Sequence, residues 1–144
     1  MKVKKIEGRK SEHLKICLTE DIQARKVTTG FEDVCLVHRA LPEVDRDKVD
    51  LSTVVFNHKF RAPLVVEAMT GGFKEATEIN AAIAKAVEKL GLGMGVGSQR
   101  AAIENPVLEK TFTVVREEAP KAFIIANIGG PQTVSYTHLT LPTK

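Results

Sequence analysis

The chain has 144 residues, 43% hydrophobic and 27% charged, which allows one globular domain with a real core and excludes a complete closed (β/α) barrel, a fold of about 250 residues. The net charge of +3 gathers at Lys2, Lys4, Lys5, Arg9 and Lys10; with few aromatic side chains for base stacking, this patch suits a small anionic ligand at least as well as nucleic acid, which is not expected as a partner. Cys17 and Cys35 show neither metal-ligand spacing nor disulfide density, and no segment reads as a signal peptide or membrane span, so a cytoplasmic setting, no membrane partner and buried or half-buried thiols are expected.

Residues 1–60 read as a mixed, charged extension. Arg9 to Leu18 is expected to form a short helix and Asp33 to His38 a short extended piece. Leu51 to Phe60 suggests a two-stranded ribbon turning around Asn57-His58. From Ala62 the character changes. Pro63-Leu64-Val65-Val66 is a continuous apolar run of the kind a strand covered on both faces requires. Phe73 to Leu90 places Ile79, Ile83, Ala86, Val87 and Leu90 at helical spacing, and Gly91 follows as a stop. Leu92 to Val96 predicts a second strand, its glycines implying that something approaches closely. Asn105-Pro106 supplies an N-cap and a first-turn proline. Leu108, Phe112, Val115 and Ala119 mark one face of a second helix, which Pro120 closes. Ala122 to Ala126 predicts a third strand, ended by Asn127-Ile128-Gly129-Gly130.

The order strand, turn, helix, strand implies an α/β fold with parallel pairing and right-handed crossovers, whether the sheet is open or closed. Ligands of such sheets bind at the C-terminal ends of the strands. Residues 134–144 break the style of the chain, reading Val-Ser-Tyr-Thr-His-Leu-Thr-Leu-Pro-Thr-Lys. One reading frame of a common sequencing adapter would encode this stretch, so it is expected to be a non-native tail, and His138 is set aside with it.

Two glycine-bearing turns fall at the strand ends, Ala68-Met69-Thr70-Gly71-Gly72 and Met94-Gly95-Val96-Gly97-Ser98-Gln99-Arg100. Backbone amides freed by glycine, the hydroxyls of Thr70 and Ser98 and the guanidinium of Arg100 suit a bound anion, although each turn alone also fits a plain loop. No Walker loop and no G-x-G-x-x-G is present. Arg9, Lys10 and His13 lie within about one helical turn, as an anion grip or as a solvated basic face. His38 and His58 lack partners at metal-like spacing. Asn127 can read a heterocycle edge or form a turn, and Glu67, in an apolar strand, needs a partner or an open edge.

Taken together, Arg9-Lys10-Ser11-Glu12-His13, Pro63 through Gly72, Met94 through Arg100 and Ile124 through Gly129 resemble type 2 isopentenyl-diphosphate isomerases, in archaeal style. The resemblance covers about residues 5 to 132, and Gly-Val-Gly-Ser-Gln-Arg in that order is highly specific. It implies the N-terminal portion of a TIM (β/α)8 barrel: roughly the first three βα units over 61–133, behind an N-terminal extension over 1–60. It further implies interconversion of isopentenyl and dimethylallyl diphosphate with reduced FMN, Mg2+ and NADPH, in a homo-oligomer.

Carried over by position, the resemblance puts Ala68, Met69, Thr70, Ser98 and Asn127 against the flavin. It puts Arg9, Lys10, His13, Ser98, Gln99 and Arg100 on the substrate diphosphate, with Arg9 and Arg100 as a clamp. The family's later histidine-asparagine-glutamine-glutamate stretch, with its metal carboxylate, is missing from these residues, as is a later lysine. No catalytic residue or metal ligand is therefore assigned, and the chain is expected to be a truncated, inactive piece. The family often has a small or hydroxyl residue at Glu67. A flavin-dependent oxidoreductase of the hydroxy-acid type is an alternative, disfavoured because it needs no N-terminal diphosphate grip; a non-catalytic flavin- or phosphate-binding module is another.

Overall fold

The computed structural model describes residues 2–130, with side chains from residue 8 onward; the segment read as a non-native tail lies outside them. Helix α1 (Lys2–Thr19) extends well before Arg9, the expected start. Residues 20–52 contain only short 3₁₀ turns at Phe31–Asp33 and Arg46–Lys48. The extended piece expected at Asp33 to His38 is not a strand, because no neighbouring strand pairs with it and Leu36 and Val37 are exposed. Cys17 and Cys35 are both exposed, contrary to expectation: the first is on α1 and the second in this unpaired segment.

Strands β1 (Thr53–Val55) and β2 (His58–Phe60) form an antiparallel hairpin with Thr53 opposite Phe60. Its turn is Phe56-Asn57, one residue earlier than expected. Both residues are left-handed, at φ 47° and 61°, the geometry of a type I′ turn whose twist matches the flanking strands.

Strands β3 (Val65–Val66), β4 (Gly93–Gly95) and β5 (Phe123–Ile125) form a parallel sheet in that order. Helix α2 (Ala76–Leu90) connects β3 to β4. Helix α3 (Arg100–Glu104), a 3₁₀ turn at Pro106–Leu108 and helix α4 (Lys110–Glu118) connect β4 to β5. The three expected strands, their parallel pairing and both long crossovers are present. Gly91 ends α2 at φ 65°, and the Asn105 carboxamide accepts from Val107 N at 3.3 Å, capping the turn that Pro106 begins.

Strand register divides the sheet faces. Val66, Met94 and Ile124 share the face that α2 and α4 cover. There Met94 and Val96 pack with Ala84, Val87, Phe112, Val115 and Ala119, and all four residues of the stripe from Leu108 to Ala119 are buried. In α2 the buried stripe is Ala76, Asn80, Ala84 and Val87, so Ala86 and Leu90 face outward, against expectation. The small side chains at 76 and 84 let α2 lie close to α4. β3 is not covered on both faces: it is an edge strand of this sheet, with Leu64 60% and Val65 49% exposed.

Val65, Gly93 and Phe123 share the opposite face. The β1–β2 hairpin closes its N-terminal end, since Phe60 meets Phe123 edge-on at 5.5 Å and Phe56 stacks on it at 6.1 Å. His58 joins the same group, 5.7 Å from Phe123. Gly93 leaves the room this needs, because a Cβ there would stand 3.1 Å from the Phe60 ring. The entry to β5 is fixed by opposite charges from two helices. Glu88 Oε2 on α2 accepts from Lys121 N and Ala122 N at 3.1 and 2.8 Å. Arg116 Nη1 on α4 donates to the carbonyls of Ala119, Pro120 and Ala122 at 2.9–3.1 Å.

Candidate functional site

The C-terminal ends of β3, β4 and β5 are stitched together by their own backbone. Gly97 N donates to Thr70 O at 2.8 Å, Val96 N to Ile125 O at 3.0 Å and Gln99 N to Asn127 O at 2.9 Å. Ala68, Met69, Thr70, Ser98 and Asn127, the expected flavin residues, thus lie on adjacent turns at one edge of the sheet. The glycines serve this close approach. A Cβ on Gly97 would stand 2.8 Å from the carbonyl oxygens of Met69 and Thr70, and one on Gly95 would stand 2.8 Å from the Ala68 Cβ.

That packing occupies part of the expected anion cradle of glycine-freed amides. The amides of Gly97 and Gln99 bond to neighbouring turns, and Gly72 N bonds to Thr111 Oγ1 at 2.9 Å. These three donors are internally satisfied. The hydroxyls of Thr70 and Ser98 and the carboxamide of Asn127 make no hydrogen bond among the described residues, a donor and acceptor set compatible with the polar edge of a flavin.

Lys10 reaches across from α1 to both turns. Its Nζ donates to Gly71 O at 2.5 Å and to Ser98 O at 3.1 Å, and lies 5.5 Å from the centre of the Phe112 ring. Burial, and secondarily repulsion from neighbouring Arg9, push its pKa below the ordinary lysine range. Beside it a cleft of about 150 Å³ is lined by Lys10, His13, Leu14, Cys17, Met69, Thr70 and Phe73. Residues read as substrate grips and residues read as flavin contacts therefore share one cleft with an apolar wall.

Arg9 is exposed on α1. Arg100 is half-buried at the start of α3, where its Nε donates to Glu104 Oε1 at 2.7 Å. The second carboxylate oxygen of Glu104 is buried without a hydrogen-bond partner among the described residues. Gln99 lies beyond the first cleft and lines a groove with Phe112, Thr113 and Ile124. Glu67 resolves simply: it is exposed, and its Oε1 accepts from Ala68 N at 2.7 Å.

Sequence reasoning missed Asn80, Thr111 and Glu104. Asn80 and Thr111 sit at helical positions that look like ordinary core or surface, and only the polar character of Asn80 within an apolar stripe hints at its role. Among the described residues no group of three or more His, Cys, Asp or Glu side chains can hold a metal ion. No described helix is long and apolar enough to cross a membrane.

Known relatives match most of the chain. A protein of Methanosarcina barkeri named isopentenyl-diphosphate delta-isomerase is 53% identical over 128 residues, covering 89% of this chain and 35% of the relative. One of the same name from Archaeoglobus fulgidus is 56% identical over 126 residues, covering 88% of this chain and 36% of the relative. The chain is a homologue of isopentenyl-diphosphate delta-isomerases. A third such isomerase, from Ignicoccus hospitalis, is 53% identical over 125 residues, covering 87% of the chain and 34% of its own length. The chain therefore spans about a third of the length of the isomerases it matches. No family model matches it.

Proposed function

We propose that a full-length protein containing this chain interconverts isopentenyl and dimethylallyl diphosphate, as a cytoplasmic homo-oligomer using FMN, Mg2+ and NADPH. The observation that carries this reading is the placement of Lys10, which joins a basic helix to both glycine-bearing turns at the ends of parallel strands. The order of residues along the chain, shared at 48–56% identity with proteins bearing the isomerase name, supports the same reaction.

Thr70, Ser98 and Asn127 offer hydroxyl and carboxamide groups to the flavin's polar edge, and Ala68 and Met69 flank them. When bound, reduced flavin supplies the acid–base chemistry that moves a proton at the allylic system. Lys10, His13 and Arg100 supply positive or hydrogen-bonding groups for the diphosphate, with Arg9 beside them on α1. Leu14, Met69 and Phe73 give the cleft an apolar wall that excludes water next to the prenyl carbons.

The test is an assay of the full-length protein with FMN, NADPH, Mg2+ and isopentenyl diphosphate, which is expected to yield dimethylallyl diphosphate. The 144-residue chain alone is expected to show no turnover. A full-length protein that oxidises a hydroxy acid and leaves isopentenyl diphosphate unchanged would overturn the reading.

A further inference from the structure

Behind the first glycine-bearing turn lies a buried polar pair with no part in the chemistry described so far. Asn80 is 1% exposed and Thr111 3% exposed, in an interface between α2 and α4 that is otherwise formed by small and apolar side chains. Asn80 Nδ2 donates to Thr70 O at 3.2 Å and to Thr111 O at 2.7 Å. Thr111 Oγ1 accepts from Gly72 N at 2.9 Å and donates to Leu108 O at 2.7 Å. The Phe112 ring fills the space behind Gly71, leaving no room there for a Cβ.

Burying an amide and a hydroxyl is unfavourable unless each finds partners, and an alanine and a valine would pack this interface without that cost. The partners found here are backbone groups of the turn at Thr70 and Gly72. The pair therefore fixes the turn from behind, tying it to two helices, while its outer side stays available to a ligand.

We infer that Asn80 and Thr111 are positioning residues for the cofactor: they set the height and tilt of the 70–72 turn against which the flavin lies. The inference rests on the flavin reading proposed above. It assigns the pair no contact with flavin or substrate; both act through the turn.

Thr111→Val keeps the shape of the side chain and removes the hydroxyl, whereas Thr111→Ser keeps the hydroxyl. In the full-length protein, FMN affinity is read by fluorescence quenching, and exchange of the Gly72 amide is read by NMR in the flavin-free state. Thr111→Val is expected to weaken FMN binding about tenfold or more and to speed exchange at Gly72. Thr111→Ser is expected to stay within about twofold of the unaltered protein in both readouts. Asn80→Leu is expected to follow Thr111→Val. Unchanged FMN affinity in Thr111→Val, with Gly72 exchanging faster, would overturn the positioning role. Equal weakening in Val and Ser variants would overturn it too, by showing packing alone at work. Failure of the unaltered protein to bind FMN would instead sink the flavin reading and the cofactor role with it, while exchange at Gly72 still decides whether Thr111 holds the turn.

Discussion

Lys10 is the residue at which the fold and the candidate chemistry meet. Its ammonium is half-buried and already donates to two carbonyls, so it would meet an anionic ligand from a fixed position. Burial lowers its pKa, which sets the sign of its pH dependence. Between the lowered value and the ordinary one, the unfolded chain keeps a proton that the folded protein has released. Across that window the contribution of Lys10 to stability rises with pH, and below it the contribution is constant. Melting temperatures of the full-length protein and Lys10→Met, compared over the alkaline range, should therefore diverge in favour of lysine as pH increases. A constant difference would show that the ammonium is not desolvated. Arg100 makes a separate prediction. Replacing it with alanine should raise KM for the diphosphate substrate by about tenfold or more, the scale of a charge-assisted hydrogen bond, with a smaller change in kcat. An unchanged KM would remove Arg100 from the diphosphate grip.

Among the elements, the hairpin of β1 and β2 fastens the extension to the sheet. Phe60 is 1% exposed and packs against Phe123, so Phe60→Ala should destabilise the full-length protein by about 3–5 kcal/mol, measured by denaturant unfolding. The same elements show what periodicity conveys. The stripe from Leu108 to Ala119, the stop at Gly91 and the cap at Asn105 are local signals, and each appears where its chemistry requires. In α2 the expected stripe holds at Val87 and partly at Ile83 but not at Ala86 and Leu90, because proximity of α4 favours small side chains at Ala76 and Ala84. Contacts that build the site were not legible. Lys10 meets Gly71 and Ser98 across sequence separations of 61 and 88 residues, and Asn80 meets Thr111 across 31. No local pattern encodes such distances. The glycines show the same limit: the sequence marks a close approach at Gly95 and Gly97, and the fold reveals that the approaching group is the neighbouring turn.

At the scale of the whole molecule, apolar surface is the conspicuous property. Leu36, Val37, Leu41, Phe56, Leu64 and Met69 are all strongly exposed, and β3 presents an edge. Exposed apolar side chains in this number, together with an open strand edge, favour association. The 144-residue chain by itself is expected to bind an apolar dye and to sediment as a mixture of larger species. A single monomeric species with a sharp, cooperative unfolding transition would contradict this.

The ammonium of Lys10 also has a thermodynamic consequence. Because the ammonium bridges the turn of Thr70 and the turn of Ser98, beside the backbone bond from Gly97 N to Thr70 O, ordering either turn lowers the entropy lost in ordering the other. Flavin and diphosphate should therefore bind with positive cooperativity. Linkage makes the effect reciprocal: the factor by which diphosphate tightens flavin must equal the factor by which flavin tightens diphosphate. In Lys10→Met both factors should fall by the same amount, and the helix that carries Lys10 would then couple two ligands that need not touch.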